Sequence, residues 1–244
     1  RFRINNMALE VFNRYEVKYL LTTEQFQKLL KIVPDYMNSD PYNKDGKTYS
    51  ICNLYLDTEN DDLICTSLEK PVYKEKLRLR SYGKTPLNGC VFLEIKKKYK
   101  GLVNKRRTSM TLEEAYSYLF DGVVPDNPKM NRQVMEEIKY AQSLYHAVPK
   151  AFISYDRFAF FEKEDDDFRM TVDTNIQTRR SDLRLDSDIY GEQLLEDGMW
   201  LMEAKASKTF PLWFSHFLSE NGIYSCSFSK YGTEYKRFVL NRKK

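Results

Sequence analysis

Val72-Tyr73-Lys74-Glu75-Lys76-Leu77-Arg78-Leu79-Arg80-Ser81-Tyr82 carries a cation at every second position from Lys74 to Arg80, with Glu75, Leu77 and Leu79 between them. Side chains on a β-strand point alternately to its two faces, so the four cations share one side and the leucines the other. Two guanidiniums about 7 Å apart along such a strand can fork onto neighbouring phosphoryl oxygens. Taken alone, the segment fits a solvated basic surface equally well. Recurrence is what changes its meaning.

The same spacing returns along the chain. Lys96 and Lys98 follow Glu94 on one face of Val91 to Lys98, and Arg14, Glu16 and Lys18 share a face of Arg14-Tyr15-Glu16-Val17-Lys18-Tyr19. Arg157 sits in Ala151 to Phe158, Arg169 opens Arg169-Met170-Thr171-Val172-Asp173, and Glu203 and Lys205 share a face of Trp200 to Lys205. Ser227-Phe228-Ser229-Lys230-Tyr231 offers hydroxyl and ammonium groups just before a predicted helix, or equally a helix cap. Several such strands in one sheet would put a dense field of Lys and Arg, with a few carboxylates, on one concave wall. A highly charged phosphate compound is the ligand such a wall suits.

Composition narrows the setting. The 244 residues allow one large domain or two small ones, and 42% hydrophobic with 14% aromatic content suits a protein with a real core. A net charge of only +4 means that the basic residues matter by position, and argues against a generic nucleic-acid binder. Cys52, Cys65, Cys90 and Cys226 match no zinc spacing and read as buried or semi-buried free thiols of a reducing compartment. No apolar run approaches the ~20 residues of a membrane span, and a cytoplasmic location is expected. A first residue of Arg1 in place of Met leads us to expect further sequence beyond the ends.

The predicted elements are strands over Val11 to Leu21, Tyr49 to Leu56, Val72 to Tyr82, Cys90 to Tyr99, Val103 to Met110, Lys150 to Phe161, Phe168 to Ile176 and Trp200 to Ala206. Helices are expected from Thr22 or Thr23 to a stop at Pro34, after Asp57-Thr58-Glu59 to Leu68, and from a capping box at Thr111-Leu112-Glu113-Glu114 to Phe120. Others are expected over Pro128 to Tyr145, Pro211 to Glu220 and Gly232 to Leu240. A turn at Lys100-Gly101 and an acidic hairpin tip at Glu162 to Asp167 join strands. With no linker evident, the expectation is a single α+β domain over residues 1–244. Its closed antiparallel β-barrel would have a wet, charged lumen, flanking helices and a helical insert.

The ordered set is more specific than any one member. It runs Arg-Tyr-Glu-x-Lys-Tyr, Tyr-Leu-Asp-Thr, Leu-Arg-x-Arg-x-Tyr-Gly, Glu-Ile-Lys, Lys-x-Arg, Tyr-x-Arg, Arg-x-Thr-x-Asp, Met-Glu-x-Lys and Ser-Lys-Tyr. From about Phe12 to Arg237 the chain resembles the polyphosphate polymerase (VTC) domain of the triphosphate tunnel metalloenzyme superfamily. The resemblance implies a closed antiparallel tunnel and ATP-dependent synthesis of inorganic polyphosphate. It implies that Arg78, Arg80, Arg157 and Arg169 clamp the transferring group, and that Lys18, Lys96, Lys105 and Lys230 track the phosphate chain. Lys205, Tyr155 and Ser229 would add phosphate contacts, and Glu203 would hold Mn²⁺ or Mg²⁺. Lys98 shares the face of Lys96, and Arg107 that of Lys105, so either of each pair fits.

Many tunnel triphosphatases begin Glu-x-Glu-x-Lys, whereas here Arg14 takes the first acidic position, which resembles the polymerase branch. The implied partners are ATP and inorganic polyphosphate or pyrophosphate, with no nucleic acid; a membrane partner is left open. A metal-dependent tripolyphosphate or nucleoside triphosphate hydrolase, and a non-catalytic polyphosphate or inositol-phosphate binding module, are the alternatives. Neither His146 nor His216 is needed as a nucleophile, and no Gly-x-x-x-x-Gly-Lys loop is present.

Overall fold

The alternating segments fold as strands. The computed structural model describes residues 15–100, 102–164 and 167–241. Arg14 with the start of the first predicted strand, Gly101 of the predicted turn, and the tip of the acidic hairpin lie outside them. The first half of the chain runs β1 (Tyr15–Thr22), α1 (Thr23–Tyr36), β2 (Met37–Ser39), β3 (Tyr49–Asp57), α2 (Asp62–Leu68), β4 (Tyr73–Tyr82), β5 (Cys90–Tyr99) and β6 (Leu102–Thr111). The helical insert, α3 (Leu112–Asp121) and α4 (Arg132–Tyr145), follows. Then come β7 (Val148–Glu162), β8 (Arg169–Arg179), β9 (Glu192–Gln193), β10 (Met199–Ala206), α5 (Leu212–Glu220), β11 (Ser225–Cys226), α6 (Lys230–Tyr235) and a π turn at Lys236–Leu240.

All the described strands join one antiparallel sheet in the order β11-β1-β10-β8-β7-β3-β4-β5-β6, with β2 on β7 and β9 on β8. Register follows the alternation. Arg78 lies opposite Glu94, Leu79 opposite Leu93 and Lys76 opposite Lys96, so like side chains share a face.

The apolar face of the sheet is covered by helices. Leu77, Leu79, Leu93 and Ile95 pack with Leu112, Ala115, Val134 and Ile138 of the insert. Leu21, Met170, Val172 and Met202 pack with Phe26 and Leu29 of α1 and with Phe214 of α5. Leu77, Leu79 and Leu93 are fully buried, each contributing about 2 kcal/mol. The capping boxes at Thr22/Gln25 and Thr111/Glu114 start α1 and α3 where the chain leaves a strand.

Several expectations are corrected. Pro34 sits inside the last turn of α1, which runs on to Tyr36: with so few residues left, the amide hydrogen bond that proline removes costs little. α4 begins at Arg132 because Asn131, not Pro128, accepts from the Val134 amide. α6 begins at Lys230 because Ser229 caps it. Cys90 is exposed at the start of β5, while Cys52 is buried.

The barrel is seen as a continuous antiparallel sheet. Among the described residues no backbone ladder joins β6 at one end to β1 or β11 at the other. Part of the free edge of β1 is taken by β11, at Lys18 and Tyr19. Side chains span the gap instead: Lys96 Nζ of β5 lies 3.5 Å from Glu16 Oε2 of β1. The sheet therefore curves enough to bring β5 within side-chain reach of β1 across its concave face.

Candidate functional site

That concave face encloses a cavity of about 450 Å³. Its lining holds ten Lys and Arg side chains against four carboxylates, a surplus larger than the net charge of the whole chain. All twelve residues singled out in the sequence border it: Lys18, Arg78, Arg80, Lys96, Lys105, Tyr155, Arg157, Arg169, Glu203, Lys205, Ser229 and Lys230. The paired alternatives differ in position. Lys96 and Lys105 line the cavity, whereas Lys98 is exposed and Arg107 lies over the Phe92 ring, 4.7 Å from its centroid. Neither histidine is in the lining: His146 caps the end of α4, and His216 is exposed on α5.

Buried carboxylates hold the cations in place. Glu94, 1% exposed, receives Arg78 Nε at 2.6 Å and Lys105 Nζ at 2.7 Å. Burial alone would push its pKa up, but Arg78, Arg80 and Lys105 hold it far below the ordinary carboxylate range. Asp173, fully buried, takes Arg157 in a two-pronged pair (2.6 and 2.8 Å) and Lys230 Nζ at 2.6 Å. Burial again opposes its charge, and those two cations win. Arg80 donates to Asn53 Oδ1 (2.9 Å) and to the Tyr155 hydroxyl (3.0 Å), so its fork is fixed by neutral partners.

A second cluster lies where β1 meets β10. Their register puts Lys18 opposite Glu203 and Glu16 opposite Lys205. Lys18 Nζ stands 3.3 Å from Glu203 and 3.4 Å from Glu16, and donates to the Phe228 carbonyl at 3.0 Å. Glu203 also meets Lys205 (3.1 Å) and Lys230 (3.4 Å). Against burial and the repulsion of Glu203, Lys205, Lys96 and Lys18 hold the Glu16 pKa at about 2.

Lys76 is different. Its described hydrogen bond goes to Ser229 Oγ (3.0 Å), and among the described residues no carboxylate pairs with it. Burial, then Lys96, Lys18, Lys74 and Arg78, push its pKa down to about 7. Lys105 is also pushed down to about 7, by burial and by Arg78 and Arg80, against the pull of Glu94. The sequence analysis placed Lys76 on the right face but did not select it, nor Glu16 or Glu94, as site residues. Its position two residues before Arg78 was the available signal.

A divalent cation is tested by the donor set. No group of three or more His, Cys, Asp or Glu side chains clusters among the described residues. Glu16 and Glu203 are diagonal neighbours on one face, and their carboxylates are hard oxygen donors. Two such donors fit Mg²⁺ or Mn²⁺ where phosphate oxygens and water complete the shell.

A curved antiparallel sheet with a cation-lined concave face defines the class: a triphosphate tunnel fold. The VTC domain matches residues 13–239, and the chain belongs to the VTC domain family. A comparison with curated protein sequences finds no match. Among solved structures, a Bacillus halodurans protein named as a candidate adenylate cyclase aligns over 93% of this chain and 99% of its own, with 14% identity and a TM-score of 0.57. That likeness is one of fold alone. The PH1819 protein of Pyrococcus horikoshii OT3 aligns over 94% of this chain and 99% of its own at 10% identity, but its TM-score of 0.40 carries no argument. Among the described residues no helix is long and apolar enough to cross a membrane.

Proposed function

We propose that this chain synthesises inorganic polyphosphate, transferring the γ-phosphate of ATP to the end of a phosphate chain. The supporting observation is the convergence of Arg78, Arg80, Arg157 and Lys230, each fixed by a buried partner, on one cavity. Phosphoryl transfer asks little covalent chemistry of a protein; it needs alignment and neutralisation of spreading charge. Arg78, Arg80, Arg157 and Arg169 would clamp the transferring phosphoryl group. Lys18, Lys96, Lys105, Lys205 and Lys230 would offset the repulsion between donor and acceptor, with hydrogen bonds from Tyr155 and Ser229. A terminal oxygen of the acceptor chain attacks the γ-phosphorus, the bond to the β-phosphate oxygen breaks, and ADP leaves. Glu203 with Glu16 would hold Mn²⁺ or Mg²⁺, which supplies charge neutralisation when bound. The VTC family includes polyphosphate polymerases, which supports the polymerase reading over simple hydrolysis. The predominance of cations in the lining points the same way. ATP as donor and the free thiols fit the cytoplasm.

Incubation with ATP and Mn²⁺, with products resolved by electrophoresis, tests this reading. Long chains with ADP are expected; orthophosphate alone would replace it with hydrolysis, and no turnover with retained binding would leave a sensor. Arg80→Ala should lose turnover by roughly a hundredfold or more while the circular dichroism spectrum is unchanged, because a charge-stabilising donor is typically worth that much. Glu203→Gln should raise the Mn²⁺ concentration needed for half-maximal rate.

A further inference from the structure

The inward-facing rows of cations do not run to both ends of the sheet. On β4 the series Lys76, Arg78, Arg80 is continued by Tyr82; on β5 the series Lys96, Glu94 is continued by Phe92. β3 begins at that same end with Tyr49, which lines the cavity and lies opposite Arg157 in the register. The rings touch one another. Tyr49 is 6.1 Å from Tyr82 between centroids, and Tyr82 meets Phe92 edge-on at 5.9 Å. Tyr42, from the loop between β2 and β3, lies 6.0 Å from Tyr82 with the two planes 10° from parallel, and 5.9 Å from Tyr49.

Two of these rings face water where burial would be the norm for a large aromatic: Tyr42 is 69% exposed and Tyr82 45%. The loop that presents Tyr42 is nevertheless fixed. Buried Asn43 donates to the carbonyls of Arg157 (2.9 Å) and Lys47 (3.1 Å) and accepts from the Ala159 amide (2.9 Å). Asp40 accepts from the Tyr42 amide at 2.8 Å and itself borders the cavity. An exposed aromatic pair, one ring on an anchored loop and the other at the end of β4, next to a cation-lined cavity, is a preorganised stacking surface.

We infer that Tyr42 and Tyr82 form a platform for the base of a nucleoside triphosphate whose phosphates lie in the cavity beyond Tyr49 and Arg157. The inference rests on the proposed triphosphate function of the cavity. Stacking is sequence-tolerant because every base has a π-face, so ATP and GTP are expected to bind with similar affinity.

The test compares two ligands by titration calorimetry: the β,γ-imido analogue of ATP and inorganic tripolyphosphate, which has no base. In the double variant Tyr42→Ala/Tyr82→Ala, affinity for the nucleotide should fall roughly tenfold, the scale of one base–aromatic stack, while the tripolyphosphate Kd stays unchanged. The double variant Tyr42→Phe/Tyr82→Phe keeps the rings and should bind both ligands like the wild type. Equal losses for both ligands in the alanine variant, or no loss for either, would overturn the platform. Should the wild-type protein bind neither ligand, the cavity itself is not a triphosphate site and the platform falls with it. Wild-type tripolyphosphate binding with an insensitive nucleotide affinity would sink the platform alone.

Discussion

Lys76 is the residue whose state a ligand should change most. Its depressed pKa, about 7, follows from burial and the neighbouring cations, with a serine hydroxyl as its one partner among the described residues. A phosphate oxygen beside it would favour the ammonium and draw the pKa back up. Binding of tripolyphosphate between pH 7 and 9 should therefore take up protons, and affinity should weaken as pH rises through that range. Calorimetry in two buffers of different ionisation enthalpy reads the uptake directly. Lys76→Met should remove part of it and weaken binding roughly 10- to 100-fold, the worth of one charged hydrogen bond; unchanged uptake would show that Lys76 does not meet the ligand. Much of this site was legible because period-two alternation fixes a face without knowledge of the partner strand, as at Arg78 and Arg80. Glu94 illustrates what was not. Its role follows from burial beneath Arg78 and Lys105, and burial depends on neighbours that only the folded sheet supplies.

At the scale of elements, α6 is the piece that completes the site. Six residues are too few to be helical alone, so packing and tethers must hold them. Gly232 lets the helix lie against α2, since a Cβ there would stand 3.1 Å from the Leu68 side chain. The Tyr231 hydroxyl donates to buried Asp57 (3.0 Å), and its ring stacks on Tyr55 at 4.8 Å. Glu234, almost fully buried, takes Arg180 in a two-pronged pair at 2.7 and 3.0 Å. The same helix carries Lys230 into the cavity. Glu234→Ala leaves Arg180 without this partner and should cost on the order of 3 kcal/mol of stability, measured by urea unfolding. It should also weaken tripolyphosphate binding although Glu234 does not border the cavity. Stability lost with affinity kept would mean that Lys230 is positioned by Asp173 alone. The sequence signalled a helix here but not its start, because Ser-Lys-Tyr reads equally as a phosphate loop and as a cap. Ser229 serves the cap and also accepts from Lys76. β2, β9 and β11 went unread because two or three residues carry no period.

At the scale of the whole molecule, the charged forms of Lys76 and Lys105 should oppose folding at neutral pH, and a bound polyanion should relieve that opposition. Both kinds of charge make stability rise with pH, over different ranges. Glu16, held at about 2, adds stability above the ordinary glutamate pKa of 4.5, and that stability is lost as pH falls toward 2. Lys76 and Lys105 tilt the pH dependence the same way, but by opposing the folded state while they are charged. Their folded pKa values, about 7, lie below the ordinary 10.5, so the unfolded chain binds more protons between those limits, and stability rises with pH across them. Lys76 dominates this slope, because the Lys105 side chain is 36% exposed and water screens its charge. The ligand-free protein should thus melt at a higher temperature at pH 9 than at pH 7. Tripolyphosphate at a hundred times its pH 7 Kd should add about 2.7 kcal/mol at pH 7 and less at pH 9, where the cations have lost charge. Differential scanning fluorimetry across pH 6 to 10, with and without tripolyphosphate, measures both slopes. A ligand-free melting temperature that falls between pH 7 and 9 would contradict the burial of the Lys76 ammonium among other cations. A gain independent of pH would place the bound anion away from Lys76. Closure of the expected barrel is not seen as a backbone ladder among the described residues, since alternation fixes faces but not curvature. The contact between Lys96 and Glu16 shows the curvature that brings ten separate cations into one cavity.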